Sequence, residues 1–291
     1  MPSLTVHHKT VYTYANPVEF GEHRMMFRPR DSHDLRLVET SLTISPPAQV
    51  RWLHDVFGNS IAIASFTGLG TELAFESTFT AEHYPAAPRE LVLEPYARTY
   101  PFSYPAEEVP DLARSIERHY TDPFRRIDEW ARPFVHESAE PDTMNVLVAI
   151  TKAIKARFSY ARREEMGTQT PLETLELGTG SCRDFAAFMM EAVRSLGFAA
   201  RFVSGYLYDE KLVGAENRAV GGGATHAWVQ VYLPGAGWVE FDPTNALVGG
   251  RNLIRIAVAR DAAQAVPLAG SFKGAANDFI GMTVNVEVTV G

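Results

Sequence analysis

The chain has 291 residues, of which 46% are hydrophobic and 21% charged, and its net charge is −8. This composition predicts a soluble globular protein with more than one domain, and the lack of a basic tract disfavours nucleic acid as a partner. One cysteine excludes an internal disulfide framework, and no apolar run reaches the ~18 residues that a membrane helix needs. The N-terminus lacks the pattern of a signal peptide, so we expect a cytoplasmic location.

The first part of the chain predicts β-structure. In residues 3–84, short runs rich in β-branched and aromatic residues are separated by turns with Pro, Gly and Asn, a spacing typical of a small β-sandwich. Residues 85–110 are rich in proline and predict an extended connector. We therefore assign residues 1–105 to an N-terminal β-sandwich-like domain together with its proline-rich connector.

Beyond the connector, the apolar residues recur with a helical period. Capping residues, or a proline at the first helical position, mark several helix starts. The sequence predicts helices at 111–120, from Asp122-Pro123 to Trp130, from Asp142 to Phe158, and from Thr170-Pro171 to Leu175.

Residues 178–206 contain the single cysteine, Cys182, in a Gly/Ser-rich turn that leads directly into a predicted helix. Apolar residues recur there at i, i+3, i+4 and i+7, and Gly197 is a suitable C-terminal cap before a strand over 198–206. Cys182 would then lie in the first turn, where free N–H groups and the helix dipole favour a nucleophilic thiolate. The alternative is a buried structural cysteine, so a base elsewhere in the chain has to decide.

A β-hairpin supplies a candidate base. Residues 225–233 alternate in polarity, Pro234-Gly-Ala-Gly237 forms a turn, and Trp238-Val-Glu-Phe241 predicts the second arm. His226 begins one arm and Asp242 ends the other, so a simple pairing places them diagonally, and a bulge would bring them opposite each other. Taken singly, His226 is more simply explained as a half-buried strand residue, and Asp242 as a turn residue at the end of a strand. Together they are typical of a base with its orienting carboxylate, which the candidate nucleophile needs.

The remaining segments complete the domain assignment. Residues 209–224 are polar and glycine-rich, and we predict a mobile loop that acts as a lid over the cysteine, the alternative being an ordinary connector. Residues 281–290 alternate in polarity and predict a last strand. We assign residues 106–270 to a catalytic core and residues 271–291 to a C-terminal strand that packs back on a sheet.

Several motifs resemble the core of the transglutaminase-like superfamily, and most closely the bacterial transglutaminase-like cysteine protease group. The motifs are Gly180-Ser-Cys-Arg-Asp-Phe-Ala, Arg201-Phe-Val-Ser-Gly-Tyr206, Thr225-His-Ala-Trp-Val and Gly237-Trp-Val-Glu-Phe-Asp-Pro-Thr-Asn245. The resemblance is strong over residues 140–246, and the N-terminal β region is similar to the domain that precedes this core in that group.

This resemblance implies an α+β fold, in which a papain/transglutaminase-like core, a helix bundle packed on an antiparallel sheet, follows the small β-sandwich domain. It implies that Cys182 is the nucleophile, that His226 is the general base and acid, and that Asp242 orients the imidazole. It implies neither a metal nor an organic cofactor.

Other residues are candidates for supporting roles. The backbone N–H of Cys182 is a natural oxyanion donor, since N–H groups at a helix start lack partners, and Tyr160 is a candidate second donor. Trp228 and Trp238 are candidates for the floor of a substrate groove, with core packing as the alternative for at least one of them. We expect Asp184 to serve the helix start rather than the chemistry.

The expected chemistry is acyl transfer from an amide bond of a peptide or protein substrate through a Cys182 thioester. Deacylation by water gives a cysteine protease or amidase, and deacylation by an amine gives a transglutaminase. The acidic composition and the lack of a signal favour hydrolysis over secreted cross-linking, with transamidation as the alternative. An alternative of another class is a non-catalytic binding module on an inert fold of this type.

Overall fold

The structure is a computed structural model in which residues 3–85, 91–136, 139–163, 167–208 and 224–291 are described. The predicted lid loop, apart from Ala224, lies outside these residues. The fold is α+β, as the sequence predicts, with an antiparallel N-terminal β domain followed by a core of helices and a second sheet. In the described residues, no helix is long and apolar enough to cross a membrane.

The elements follow one another as a block of strands, a block of helices and a second block of strands. The strands are β1 (Ser3–Met25), β2 (Leu35–Ser45), β3 (Gln49–His54), β4 (Ser60–Ser65), β5 (Leu69–His83), β6 (Ser159–Tyr160), β7 (Thr179–Gly180), β8 (Ala200–Leu207), β9 (His226–Leu233), β10 (Gly237–Asp242), β11 (Leu247–Val248), β12 (Leu253–Ala259), β13 (Leu268–Lys273) and β14 (Phe279–Val290). The α-helices are α1 (Val109–Ile116), α2 (Arg126–Ala131), α3 (Thr143–Arg157), α4 (Pro171–Leu177) and α5 (Cys182–Ser195).

The N-terminal sheet is built around β1, whose two halves have different neighbours. The first half lies between β5 and β14, and the second half pairs with β13 and β4. Strands β2 and β3 extend the sheet beyond β5 and β4, and side chains such as Tyr14, Phe20 and Phe75 enclose an apolar cluster of their own. All these strands belong to one continuous antiparallel sheet, in which the last strand of the chain lies directly beside the first.

The core contains a five-stranded antiparallel sheet in the order β11-β10-β9-β8-β12, and α5 packs against β8 and β9. Alternation along β9 decides which residues face the helix. Ala227, Val229 and Val231 join the main apolar cluster together with Phe185 and Met189 of α5. Trp228 and Gln230, at intervening positions, therefore fall on the other face of the sheet.

Buried hydrogen bonds tie the two sheets together. His8 Nδ1 lies 2.7 Å from the hydroxyl oxygen of Tyr206. The Asn59 side chain donates to the carbonyl oxygen of Val258 at 2.7 Å and accepts from the Val258 N–H at 2.9 Å. Burial, and to a lesser extent the neighbouring His7, lowers the pKa of His8 to about 4, so the imidazole can bond across the interface without burying a charge.

Two helices begin where the sequence predicts. The Asp142 carboxylate accepts from the Asn145 N–H at 2.8 Å and so caps α3. Thr170 and Glu173 form a reciprocal capping box ahead of α4, whose first residue is a proline. Both starts are set by local hydrogen bonds, which explains why the sequence alone could locate them.

The boundaries of α1 and α2 differ from the prediction for identifiable reasons. α2 begins at Arg126 rather than at Asp122-Pro123, because Arg125 takes a left-handed φ of 52°; the Asp122 carboxylate still caps the helix by accepting from the Arg126 N–H at 3.0 Å. α1 ends before residue 120 because the chain becomes extended and the His119 N–H donates to the buried Glu191 carboxylate at 3.1 Å.

Candidate active site

Cys182 is the first residue of α5, and its side chain is 7% exposed. Ser181 before it is extended, with φ −86° and ψ 175°, so the chain turns into the helix at the cysteine. The approach to this turn leaves no room for a side chain at Gly180, where a Cβ would lie 2.9 Å from the Cβ of Asp184. The thiol therefore lies at the positive end of the helix dipole, nearly buried and still accessible.

Asp184 fixes the start of α5. Its buried carboxylate accepts from the N–H and from the hydroxyl of Ser181, both at 2.8 Å. It also accepts from the Gln169 N–H at 2.7 Å and from the Arg163 guanidinium at 2.9 Å. Both carboxylate oxygens are thus occupied in holding the segment before α4 against the helix start, which is a structural task.

The register of the hairpin between β9 and β10 places His226 and Asp242 diagonally. Phe241 pairs with Val229, so Asp242 lies opposite Trp228, two positions along from the histidine and on the same face. The pairing of these two strands, both fully described, contains no bulge. The side chains span the diagonal themselves, and His226 Nε2 lies 2.8 Å from Asp242 Oδ2.

The Asp242 carboxylate is fully buried and is held by several donors. Oδ1 accepts from the Thr244 N–H at 2.9 Å and from the Asn245 N–H at 3.3 Å, and Oδ2 accepts from Asn245 Nδ2 at 2.9 Å in addition to His226. Burial alone would raise the pKa of Asp242, but the charge of His226 and these hydrogen bonds outweigh burial and lower the pKa. Asp242 is therefore ionised and fixed in place.

The two ring nitrogens of His226 face different groups. Nε2 binds Asp242, whereas Nδ1 has no hydrogen bond of ordinary geometry to a described residue. Burial alone would lower the pKa of His226, but Asp242, and after it the nearby Cys182 thiol, outweigh burial and raise the pKa. The Cys182 thiol is thus close enough to influence the imidazole, Nδ1 is the ring nitrogen not engaged by Asp242, and the imidazolium form is favoured.

Tyr160 lies beside the start of α5. Strands β6 and β7 pair in parallel, with Tyr160 opposite Gly180, and the phenol ring packs edge-on against Phe185 with centroids 6.5 Å apart. Burial, and to a lesser extent the charge of Cys182, raises the pKa of Tyr160. Tyr160 is 38% exposed, so part of this residue is open to solvent.

Trp228 does not form the floor of a substrate groove, contrary to the expectation from the sequence. Its side chain has no exposed surface and packs with Val203 and Leu253 in a small apolar cluster. The indole is stacked on the His226 imidazole, with ring centroids 6.0 Å apart and an interplanar angle of 27°. Trp228 therefore supports the histidine from one side, because a ring without exposed surface cannot contact a substrate.

Two supporting residues were not identified from the sequence. Asn245 donates to Asp242 through both its backbone and its side chain, and the Asp-Pro-Thr-Asn spacing is a local signal that could have indicated this turn. Arg163 pairs with Asp184, but the two are 21 residues apart and no local pattern links them. Over the described ranges, no group of three His, Cys, Asp or Glu side chains is arranged to hold a metal ion.

Proteins from mycobacteria are similar to this chain over almost its whole length. The Mycobacterium tuberculosis protein Rv2569c is 29% identical over 289 residues, which cover 97% of this chain and 91% of the relative. The Mycobacterium leprae protein ML0607 is 25% identical over 297 residues, which cover 98% of each chain. These relatives therefore share both the N-terminal sheet and the core.

A solved structure and two family models agree with this architecture. The crystal structure of a "Putative Cysteine Protease" from Cytophaga hutchinsonii has the same fold, with a TM-score of 0.68 at 20% identity over 100% of this chain and 90% of that chain. Residues 4–82 match the bacterial transglutaminase-like N-terminal region, and residues 128–243 match the transglutaminase-like superfamily model. The chain therefore contains a bacterial transglutaminase-like N-terminal region followed by a transglutaminase-like superfamily core.

Proposed function

We propose that the protein hydrolyses amide bonds of peptide or protein substrates by acyl transfer through a Cys182 thioester. The observation that carries this proposal is the buried His226–Asp242 pair, whose Nε2 and Oδ2 atoms are 2.8 Å apart, which leaves Nδ1 unengaged, and which lies close enough to Cys182 for the thiol to raise the pKa of His226. In this arrangement Cys182 is the nucleophile, His226 the base and acid, and Asp242 the group that orients the imidazole.

Acylation begins when the thiol proton moves to Nδ1 of His226, which leaves a thiolate beside an imidazolium. The sulfur attacks the amide carbonyl carbon, and the Nδ1 proton passes to the leaving nitrogen as the C–N bond breaks. Asp242 accepts the Nε2–H hydrogen bond throughout, because three donors from Thr244 and Asn245 keep its carboxylate in place. The amine leaves, and the acyl group remains on Cys182 as a thioester.

Two donors are suited to the negative charge that develops on the carbonyl oxygen. The N–H of Cys182 is at the start of α5, where backbone donors have no partner one turn earlier. Tyr160 lies on the other strand of the β6–β7 pair, opposite Gly180 and two residues before Cys182 in register, and it is partly exposed. Donors aimed at this oxygen stabilise the tetrahedral intermediate more than the planar substrate, which is the condition for catalysis.

Deacylation restores the thiol. Neutral His226 takes a proton from water at Nδ1, the hydroxide attacks the thioester carbonyl, and the proton returns to sulfur as the C–S bond breaks. The products are a carboxylic acid and free Cys182. An amine that replaces water at this step would give an amide, which is transamidation, so the acceptor decides between the two reactions.

The test incubates the full chain with a mixture of peptides, with and without added methylamine, and identifies the products by mass spectrometry. Without added amine, we expect new peptide fragments with the wild type and none with Cys182→Ala. Circular dichroism is expected to show that the Cys182→Ala variant keeps the fold. Cys182→Ser should be nearly inactive, because an alcohol is far harder to deprotonate than a thiol. Undiminished cleavage by Cys182→Ala would exclude the thiol mechanism.

The same experiment separates the alternatives. Methylamide products in place of carboxylic acids would assign the protein to transamidation. Peptides that bind the wild type and are left intact would assign it to the non-catalytic binding modules, and the thioester mechanism would be wrong.

A further inference from the structure

A cavity of about 400 Å³ lies between the N-terminal sheet and the core sheet, away from Cys182. One wall is formed by the segment that follows β1, including Arg30 and Asp34, and the other by β8, β9, β10 and β12 of the core. Cys182 does not line the cavity, and neither does the His226–Asp242 pair. No step of the proposed amide hydrolysis involves this cavity.

A clamped arginine is the central feature of the core wall. The Arg201 guanidinium lies over the ring of Trp238, with its carbon 4.0 Å from the ring centroid. Its Nε donates to Gln230 Oε1 at 2.8 Å, and Gln230 Nε2 in turn donates to Glu240 Oε1 at 2.7 Å. Stacking on one side and a hydrogen bond along one edge leave the planar fork of terminal nitrogens with little freedom to move.

The terminal nitrogens of Arg201 have no hydrogen-bond partner among the described residues. Within the part of the chain that the structure describes, they make no hydrogen bond and no ion pair, although they remain accessible. The nearby carboxylates are bound to another arginine: Arg255 donates to Glu240 at 3.0 Å and to both oxygens of Asp34 at 3.2 Å. Asp34 and Glu240 are thus satisfied, while the fork of Arg201 has no partner among the described residues.

The surroundings of Arg201 are also electrostatically unfavourable for its own charge. Burial lowers the pKa of Arg201 to about 9, and repulsion by Arg255 adds to this effect more than attraction by Glu240 opposes it. Arg30, across the cavity, repels in the same direction. A bound anion would offset this repulsion, because it would supply an opposite charge and accept hydrogen bonds from the two terminal nitrogens of Arg201.

We propose that this cavity is a binding site for a small organic carboxylate with an apolar body, which Arg201 holds by a bidentate hydrogen-bonded pair. The fork of a guanidinium matches the two oxygens of a carboxylate. Leu91 and Ile256 line the same cavity and supply apolar surface for the rest of the ligand. Asp34 and Glu240 on its walls disfavour an anion with two charges, so inorganic phosphate should bind less well than a monocarboxylate.

The test is isothermal titration calorimetry of the wild-type chain with benzoate, with benzyl alcohol as a neutral aromatic analogue of similar size, and with inorganic phosphate. We expect saturable binding of benzoate, none of benzyl alcohol, and weaker binding of phosphate. Arg201→Gln should weaken benzoate binding by about tenfold or more, since it removes the fork and the charge. Arg114→Gln is the matched control, because Arg114 is exposed and already paired with Glu117 at 2.6 Å, and it should bind benzoate as the wild type does.

Folding of the variants is followed by circular dichroism, and Arg201→Lys serves as a second variant that keeps the charge and removes the fork. It should also bind benzoate several-fold more weakly than the wild type. Equal affinities of the wild type and either Arg201 variant would overturn the proposal, as would the absence of saturable benzoate binding. Tighter binding of phosphate than of benzoate would show that the carboxylate assignment is wrong. The readout is binding, so none of these outcomes depends on amide cleavage at Cys182.

Discussion

Asp242 illustrates how one residue can serve both the fold and the proposed chemistry. Its Oδ1 accepts from the backbone N–H groups of Thr244 and Asn245, which closes the turn after β10. Its Oδ2 accepts from His226 and from the Asn245 side chain. Because the turn holds the carboxylate, the imidazole is oriented without any movement of Asp242 during the reaction.

Asp242→Asn is therefore expected to lower kcat by a factor on the order of 10² or more, by analogy with triads in general, while the protein stays folded. The amide keeps the shape of the carboxylate and loses the charge that stabilises the imidazolium. Steady-state kinetics on a peptide identified by the mass-spectrometric screen measures the effect. Asn245→Ala removes one donor to the carboxylate and should cause a smaller loss. An unchanged kcat in Asp242→Asn would leave Asp242 with a purely structural role.

The same pair predicts how the stability difference between wild type and Asp242→Asn depends on pH. The pKa of His226 is raised above its ordinary 6.5. Its contribution to the free energy of unfolding is therefore fully present below pH 6.5 and is lost as the pH rises through the raised pKa. The pKa of Asp242 is lowered below its ordinary 3.8. Its contribution to the free energy of unfolding is therefore present above pH 3.8 and is lost as the pH falls through the lowered pKa.

Urea unfolding should therefore show the largest difference in free energy of unfolding between pH 3.8 and 6.5, and smaller differences in more acidic and more alkaline solutions. A difference that is constant over the whole range would mean that His226 and Asp242 do not share a proton-linked interaction.

At the scale of elements, the site depends on how closely β8 approaches its neighbours. Gly205 of β8 pairs with His226 of β9, and a Cβ at Gly205 would lie 2.1 Å from the carbonyl oxygen of Ile254 and 2.6 Å from the Trp228 ring. A side chain there would therefore push β12 and the indole that supports the histidine. The glycine is required by this close packing rather than by its φ angle.

Gly205→Ala is expected to destabilise the protein by about 1–3 kcal/mol, because the extra methyl group forces a backbone shift in a packed sheet. It should also lower kcat through displacement of Trp228 and His226. Gly281→Ala is the matched control, since a Cβ on this strand glycine meets nothing within 4 Å. Urea unfolding and peptide kinetics measure both effects. Equal stability of the two variants would contradict the packing described here.

How far the sequence predicts these elements depends on the range of the interactions that define them. The starts of α3, α4 and α5 and the hairpin of β9 and β10 were predicted, because caps, turn residues and alternation are local signals. The early end of α1 was missed, since it depends on Glu191, 72 residues further along the chain. The sequence offered both core packing and substrate contact for Trp228 and could not decide, since the side chains that cover it come from β8 and β12.

At the scale of the whole molecule, the N-terminal sheet packs directly against the core. β14 returns from the core to pair with β1, and Asn59 of the N-terminal domain bonds both backbone groups of Val258 in β12. The proposed carboxylate site lies in the same interface, with walls from both domains. Interface contacts therefore link the stability of the two parts.

Asn59→Ala should lower the free energy of unfolding by about 1–3 kcal/mol, because it leaves the buried N–H and carbonyl groups of Val258 without partners. Ser65→Ala is the control: it removes an exposed hydrogen bond to Glu22, and a change within about 0.5 kcal/mol is expected. Urea unfolding compares the two variants. A loss in Asn59→Ala no larger than in the control would show that the interface contributes little to stability.

The most direct test of the central claim is the rate at which iodoacetamide alkylates Cys182 at pH 6, followed by intact-mass spectrometry. The protein has one cysteine, so every adduct reports this thiol. In the proposed mechanism His226 takes the thiol proton, so the wild type should react about tenfold faster or more than His226→Ala. His33→Ala, which changes an exposed histidine, should react like the wild type. Equal rates in the wild type and His226→Ala would contradict a Cys182–His226 catalytic pair.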